Sequence, residues 1–254
     1  MRALAQVVAE ADGRGGTRLT VLRGESPLLL RRTGGRSGGG LTVHLVGGAA
    51  GPLRGDDLRL EVTVGVGADL TVRSVAAQLA LPGRPGPASR LTIHASVAGT
   101  LRWLPEPLIA AAGCDHYTET VVEVAEGGEL LWRDDLVCGR HAEPSGDARL
   151  DTTIRYGGRT LYRHALGVGR HADGWDGAAV LGSGRAVGTV VAVPGLPGTL
   201  TASPGAALMP LAGPGVLATA VGADIRQVQA ALDPLCAPVV AEPVPVAAGA
   251  PLAA

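Results

Sequence analysis

The sequence predicts an all-β protein: a layered, β-helix-like solenoid of stacked hairpin units that ends in one short helix. Three observations predict it. The chain carries 39 glycines and 18 prolines in 254 residues. That is too many turn formers for a helical protein, but they punctuate short strands well. Alternating segments each reach a glycine turn and resume at a leucine, at Leu70, Leu101, Leu130 and Leu161, an interval of about 30 residues that marks a repeated supersecondary unit. Hydrophobic residues make up 46% of the chain and aromatics 2%, with no Phe, so the core must be built from Val, Leu, Ile and Ala. Two-stranded units cannot each bury a face alone and therefore stack. A β-sandwich is the alternative arrangement.

Taken in order, Leu4 to Ala9 reads as a first strand, and Thr17 to Leu22 as a second. The stretch from Thr33 to Gly40 is glycine-rich loop, and Leu41 to Val46 is strand. Gly51 to Asp57 forms a turn carrying two acids, Asp56 and Asp57. The repeats follow: Leu60–Val64 turning at Gly65–Gly67, Leu91–Val97 at Ala98–Gly99, Thr120–Val124 at Gly127–Gly128, and Leu150–Tyr156 at Gly157–Gly158. Period-two alternation gives strands, and glycine supplies the positive φ of a tight turn. After Ala165 the pattern loosens, with short strands at 188–193, 208–210 and 216–221. Asp224 caps one helix whose Ile225, Val228 and Leu232 share a face, and Pro234 is expected to disrupt its end. One domain is expected over 1–237, with an Ala/Pro-rich disordered tail over 238–254.

Composition excludes several functions. The formal net charge is -1, without the basic excess that nucleic-acid binding requires. Arg31-Arg32 is a short basic spot, read as a solvated loop and not as a phosphate site. Three cysteines at irregular spacing make no disulfide framework, which fits a cytoplasmic protein. No apolar run reaches the roughly 18 residues of a membrane span. Gly182-Ser183-Gly184 lacks the strand–turn–helix context of a nucleophile elbow, and the glycine stretches open no helix that could cradle phosphate. No catalytic constellation emerges, and an enzyme is not expected.

The candidate functional residues are acids and one proline corner. Asp134-Asp135 interrupts a strand just after Trp132. Neighbouring strand residues face opposite ways, so one of the two points inward, where a carboxylate needs a partner or a cation. Cys114 and His116 share a strand face, but with Cys138 and His141 they match no zinc module; a buried cysteine beside a loop histidine is the reading adopted. Trp103 leads into Leu104-Pro105-Glu106-Pro107, a fixed extended corner suited either to ending a strand or to meeting a partner.

An ordered series of motifs resembles the UreD (UreH) family of urease accessory proteins. It comprises Pro27-Leu28-Leu29-Leu30-Arg31-Arg32, the turn from Gly51 to Asp56, Val64-Gly65-Val66-Gly67-Ala68, the run from Leu101 to Ile109, Gly139-Arg140, and Gly146-Asp147. The match spans about Ser26 to Leu235. Departures mark a divergent member: Val75 stands where the family has Gln, Asp147 where it usually has Glu, and Pro52 where it has a second Gly. The resemblance implies a β-helix-like, non-enzymatic maturation factor. Such a factor binds apo-urease and UreF, which recruits the GTPase UreG, and nickel moves in transit through an internal channel with no tightly bound cofactor. It places Asp56 and Asp147 on a weak metal path, to which Asp134 and Asp135 are added from the residues. Trp103, Pro105, Glu106, Pro107 and Arg140 are the expected partner contacts. A β-solenoid polysaccharide hydrolase or lyase would need paired carboxylates and aromatic platforms, for which three Trp and three Tyr are few. A generic β-repeat binding protein is the other alternative.

Overall fold

The computed structural model describes residues 1–35, 40–196 and 205–237. In chain order the strands are β1 (Arg2–Ala11), β2 (Thr17–Gly24), β3 (Leu28–Gly35), β4 (Leu41–Gly47), β5 (Asp57–Val64), β6 (Asp69–Ser74), β7 (Gln78–Ala80), β8 (Ser89–Val97) and β9 (Thr100–Leu104). They continue with β10 (Leu108–Ala110), β11 (Asp115–Val124), β12 (Glu129–Cys138), β13 (Asp147–Tyr156), β14 (Arg159–Val168), β15 (Ala186–Val193), β16 (Ala206–Pro210) and β17 (Val216–Gly222), and the chain then enters α1 (Ile225–Cys236).

Two sheets face each other. The seven-stranded sheet is ordered β14-β13-β11-β8-β5-β1-β2; the ten-stranded sheet is ordered β16-β17-β15-β12-β9-β6-β4-β3, with β10 paired to β12 and β7 paired to β10. The centre of each is parallel, through β1, β5, β8, β11 and β13 on one side and β4, β6, β9 and β12 on the other. These stacked coils make a β-solenoid of about four turns, the architecture that the sequence periodicity predicts.

The turns differ from that expectation. The glycine turns after β5, β8 and β11 do not fold back as hairpins; they carry the chain from one sheet to the other. Their backbone groups are satisfied by the neighbouring coil: Gly65 N–H donates to Ala9, Ala98 N–H to Val64, Ala125 N–H to Val97 and Gly157 N–H to Val124. The corners nest tightly enough that a Cβ on Gly99 would run into the carbonyls of Ala68 and Gly65. Only the fourth unit, β13 and β14 across Gly157-Gly158, is an antiparallel hairpin. The leucine ladder is therefore Leu41, Leu70, Leu101 and Leu130, in register across β4, β6, β9 and β12 and at most 4% exposed. Leu161 lies instead on the hairpin's return strand. One step further along the same strands, Trp103 and Trp132 stack at 4.8 Å with 8° between their planes, which is the strand spacing itself.

Two elements run past their expected limits. The loop expected from Thr33 begins as strand, with β3 reaching Gly35; 36–39 lie outside the described residues, as does the tail from 238. Asp224 caps α1 as expected, accepting from Gln227 N–H at 3.1 Å, but the helix continues through Pro234 to Cys236. Val228, Leu232 and Leu235 hold its buried face in a cluster with Val190, Ala218 and Ala220 from β15 and β17. That burial outweighs the one backbone hydrogen bond proline removes from the final turn. No helix among the described residues is long and apolar enough to cross a membrane.

Candidate functional site

Inward-facing positions stay aliphatic along β5, from Leu58 to Val64, but change from aliphatic to polar along β11. On β11 the buried residues are Val124 and Val122, then Thr120, Thr118 and His116. A cavity of about 450 Å³ opens between the sheets, with Thr118 of β11 among its lining residues. Leu58, Leu60, Leu91 and Ile93 line one wall, Trp103 and Asp134 the other, and Val46, Val75 and Glu106 are among the residues at its margin. A second space of about 20 Å³ shares Asp134 and extends to Thr152, Tyr162 and His164. Asp134 thus stands on the wall common to both.

Strand alternation separates Asp134 from Asp135. On β12, Leu130, Trp132 and Leu136 pack between the sheets, and Asp134 shares their face. Leu131 and Val137 pack under α1, and Arg133 and Asp135 share that outer face. Trp132 Nε1 donates to Asp134 Oδ2 at 2.9 Å, and Thr152 Oγ1 donates to the same oxygen at 3.2 Å. Among the described residues Oδ1 accepts no hydrogen bond, and no cation neutralises the carboxylate. Burial pushes the Asp134 carboxyl up to about 6, against the opposing pull of the two donors. Asp135 is different: Arg133 Nε donates to it at 2.9 Å, and Arg133 Nη1 reaches Asp233 on α1 at 2.6 Å. Asp135 holds the helix to the sheet through Arg133.

The other expected residues are scattered. Asp56 is buried; Oδ1 accepts from the Met1 amino group at 2.7 Å and Oδ2 from Leu53 N–H at 2.9 Å. The residue that serves the acidic turn is therefore Asp56 and not the exposed Asp57, which opens β5. Asp147 is buried beneath Arg170, whose backbone N–H and Nη2 donate at 2.5 and 2.8 Å. An ion visiting Asp56, Asp135 or Asp147 would have to displace a cation already there. Trp103 is 3% exposed and offers its ring to Trp132 and the cavity, not to the outer surface. Beyond it, Pro107 is buried, Pro105 half-buried and Glu106 exposed, with Glu106 N–H fixed to Ser74 Oγ at 2.8 Å. Arg140 is exposed and forks onto Glu143 through Nε and Nη2, both at 2.9 Å.

His116 and Cys114 do not converge on a site. His116 Nδ1 meets Ser89 Oγ at 2.8 Å and Nε2 meets Thr118 Oγ1 at 3.0 Å, while burial pushes the imidazole down to about 4. Burial also pushes the Cys114 thiol up to about 11, which makes it a poor thiolate donor. Among the described residues no three His, Cys, Asp or Glu side chains are arranged to hold a metal ion.

A family model described as UreD urease accessory protein matches residues 1–248. The chain belongs to the UreD family. The urease accessory protein UreD of Streptomyces coelicolor is 44% identical over 243 residues, covering 92% of this chain and 94% of its own. The protein of the same name from Parafrankia sp. is 42% identical over 277 residues, covering 97% and 92%; that of Frankia alni is 40% identical over 282 residues, covering 92% and 93%. UreD membership gives the chain a role in urease maturation. Thr152, Tyr162 and His164, which adjoin Asp134, stand out in no sequence motif. The available signal is the switch from Val to Thr and His at inward positions of β11, of which Thr118 lines the cavity.

Proposed function

We propose that this UreD-family chain is a non-catalytic maturation factor that binds apo-urease together with UreF and UreG and passes nickel through its interior. The observation that carries the reading is Asp134: a carboxylate with no cation partner and one oxygen free among the described residues, on the wall between two interior spaces. A transit site must release its ion, and a carboxylate oxygen on a mostly apolar wall, without a complete coordination sphere around it, binds weakly enough to do so. The raised carboxyl value supports the same role, because a group near neutrality can exchange a proton for a cation. Asp56, Asp135 and Asp147 enter such a route only by exchanging their cation partners. Pro105 and Glu106 at the cavity margin, the adjoining Pro107, and Arg140 on the surface are the proposed partner contacts; Trp103 supports that corner.

The test is co-expression of a urease operon with the wild-type chain, with Asp134→Ala, or without the chain, reading urease-bound nickel and complex formation separately. The expected result is that Asp134→Ala copurifies with its partners while urease nickel falls several-fold. Equal nickel with and without the chain would sink the maturation role. Equal nickel with wild type and Asp134→Ala would sink the Asp134 route alone.

A further inference from the structure

Arginines on the sheet faces of this protein generally have an acid. Arg54 meets Asp115, Arg90 meets Glu119, Arg102 meets Asp69, Arg133 meets Asp135 and Asp233, and Arg155 meets Glu123, each at 2.6–2.9 Å. Arg31, Arg32, Arg73, Arg159 and Arg163 lie in strands without such a partner among the described residues, and of these Arg31 and Arg73 fall in one row. Arg31 is not in a loop: it lies in β3 opposite His44 of β4, and His44 lies opposite Arg73 of β6. Register partners share a face, so the three form one row across three adjacent strands. Leu30, Leu41, Val43, Leu70 and Val72 fill the core from these strands, so the row faces outward. Arg31 and Arg73 are exposed, and among the described residues neither has a carboxylate within ion-pair distance. Arg31 Nη1 donates only to its neighbour's carbonyl, Leu30, at 2.9 Å. One step along the strands lie Leu29 and Val46, paired in register, followed by Val75, which is 64% exposed.

We propose that this outer strip of β3, β4 and β6 is a docking surface for an acidic amphipathic α-helix of a partner protein. The spacing selects the occupant. Adjacent strands lie about 4.7–4.9 Å apart, and helix positions three or four residues apart lie about 5–6 Å apart. A helix laid across the strands therefore presents a row of carboxylates to Arg31, His44 and Arg73 and its apolar flank to Leu29, Val46 and Val75. Guanidinium groups bind carboxylates through two parallel hydrogen bonds, and the apolar row beside them adds contact that a phosphate backbone cannot use. The net charge of -1 also disfavours a polyanion. Val46 and Val75 belong to the cavity margin as well, so a helix docked here lies beside the cavity. The surface rests on the reading that this chain works bound to other proteins, but its test needs neither urease nor nickel.

The experiment uses the full chain and a fluorescein-labelled synthetic helix with Glu at i, i+4 and i+7, Leu on the adjoining face, and a Gln-for-Glu control. Anisotropy titrations are run with wild type, Arg31→Glu/Arg73→Glu, the milder Arg31→Gln/Arg73→Gln, and Val75→Asp, each checked for an unchanged thermal melt. The expected result is salt-sensitive binding of the Glu helix, weakened about tenfold or more by either double variant and by the Gln control, and weakened by Val75→Asp at all salt concentrations. Failure of the Glu helix to bind wild type, or equal binding by the double variants, overturns the proposal. Tighter binding of duplex DNA or of phosphatidylserine vesicles at the same residues overturns the helix as the occupant. Loss of urease nickel on deleting the chain, alongside an inert peptide, would leave the maturation reading standing and this one rejected.

Discussion

At the scale of single residues, Asp134 and Asp135 are adjacent in sequence and opposite in physics. One faces a cavity without a cation; the other faces a helix with an arginine. Sequence reasoning reached the pair and the alternation but not which way the alternation falls, because that is set by pairing with strands about 30 residues away. Burial of an ionised Asp134 is a standing cost. Its carboxyl rises from 3.8 to about 6, a difference of about 3 kcal/mol at neutral pH. Asp134→Asn keeps an oxygen for the Trp132 and Thr152 donors and removes the charge. It should therefore unfold at higher urea than wild type at pH 7, by up to about 3 kcal/mol, while delivering less nickel. A destabilised Asp134→Asn at that pH would show that the carboxylate is compensated by something other than those two donors. Trp132→Phe removes one donor and should push the carboxyl higher still, a change readable in the pH dependence of the cavity's affinity for a divalent cation.

At the scale of elements, the corners explain why the fold class was legible and its turns were not. A Gly-rich turn after an alternating strand is the same local chemistry whether the chain reverses or crosses to another sheet. What decides is the partner of the corner backbone, and here the partner is the previous corner. The close nesting makes a specific demand: Gly99→Ala places a methyl against two carbonyls and should cost about 1–3 kcal/mol, whereas Val66→Ala at the 78% exposed tip of the preceding corner should cost almost nothing. The helix was legible from its cap and apolar face, but its anchor was not, since Arg133 and Asp233 lie a hundred residues apart. Arg133→Met leaves Asp135 as a buried unpaired charge and should cost about 3–5 kcal/mol. It should also raise amide exchange throughout α1. Adding Asp135→Asn removes the orphaned charge and should restore most of the loss. If the double variant stays as unstable as the single, the orphaned Asp135 charge is not the source of the loss.

At the scale of the whole molecule, two titrating groups of the interior pull stability in opposite directions over one pH window. Between 3.8 and about 6 the folded state holds a proton on Asp134 that the unfolded chain releases, so this group's contribution falls as pH rises and its penalty is complete above about 6. His116 runs the other way. Its ordinary value is 6.5 and its folded value about 4, so the unfolded chain takes up a proton that the folded state refuses. Its contribution is complete above 6.5 and is lost as pH falls toward 4. Each amounts to about 3 kcal/mol, so between about pH 4 and 6 the two nearly cancel and wild-type stability should be close to level from these groups. Asp134→Asn uncovers the histidine: relative to its own stability at pH 7, it should lose about 3 kcal/mol by pH 4. His116→Gln, which can still bond Ser89 and Thr118, uncovers the carboxylate and should gain stability as pH falls from 6 to 4. Urea melts of the three proteins across that window decide the matter: parallel curves would mean that neither group titrates as its burial dictates, and opposite slopes in the two variants would show that the level wild-type profile is a balance of two large terms. The carboxylate term of that balance sits on the cavity wall proposed for nickel transit, so the same melts also test whether Asp134 is poised to exchange a proton for an ion near neutral pH.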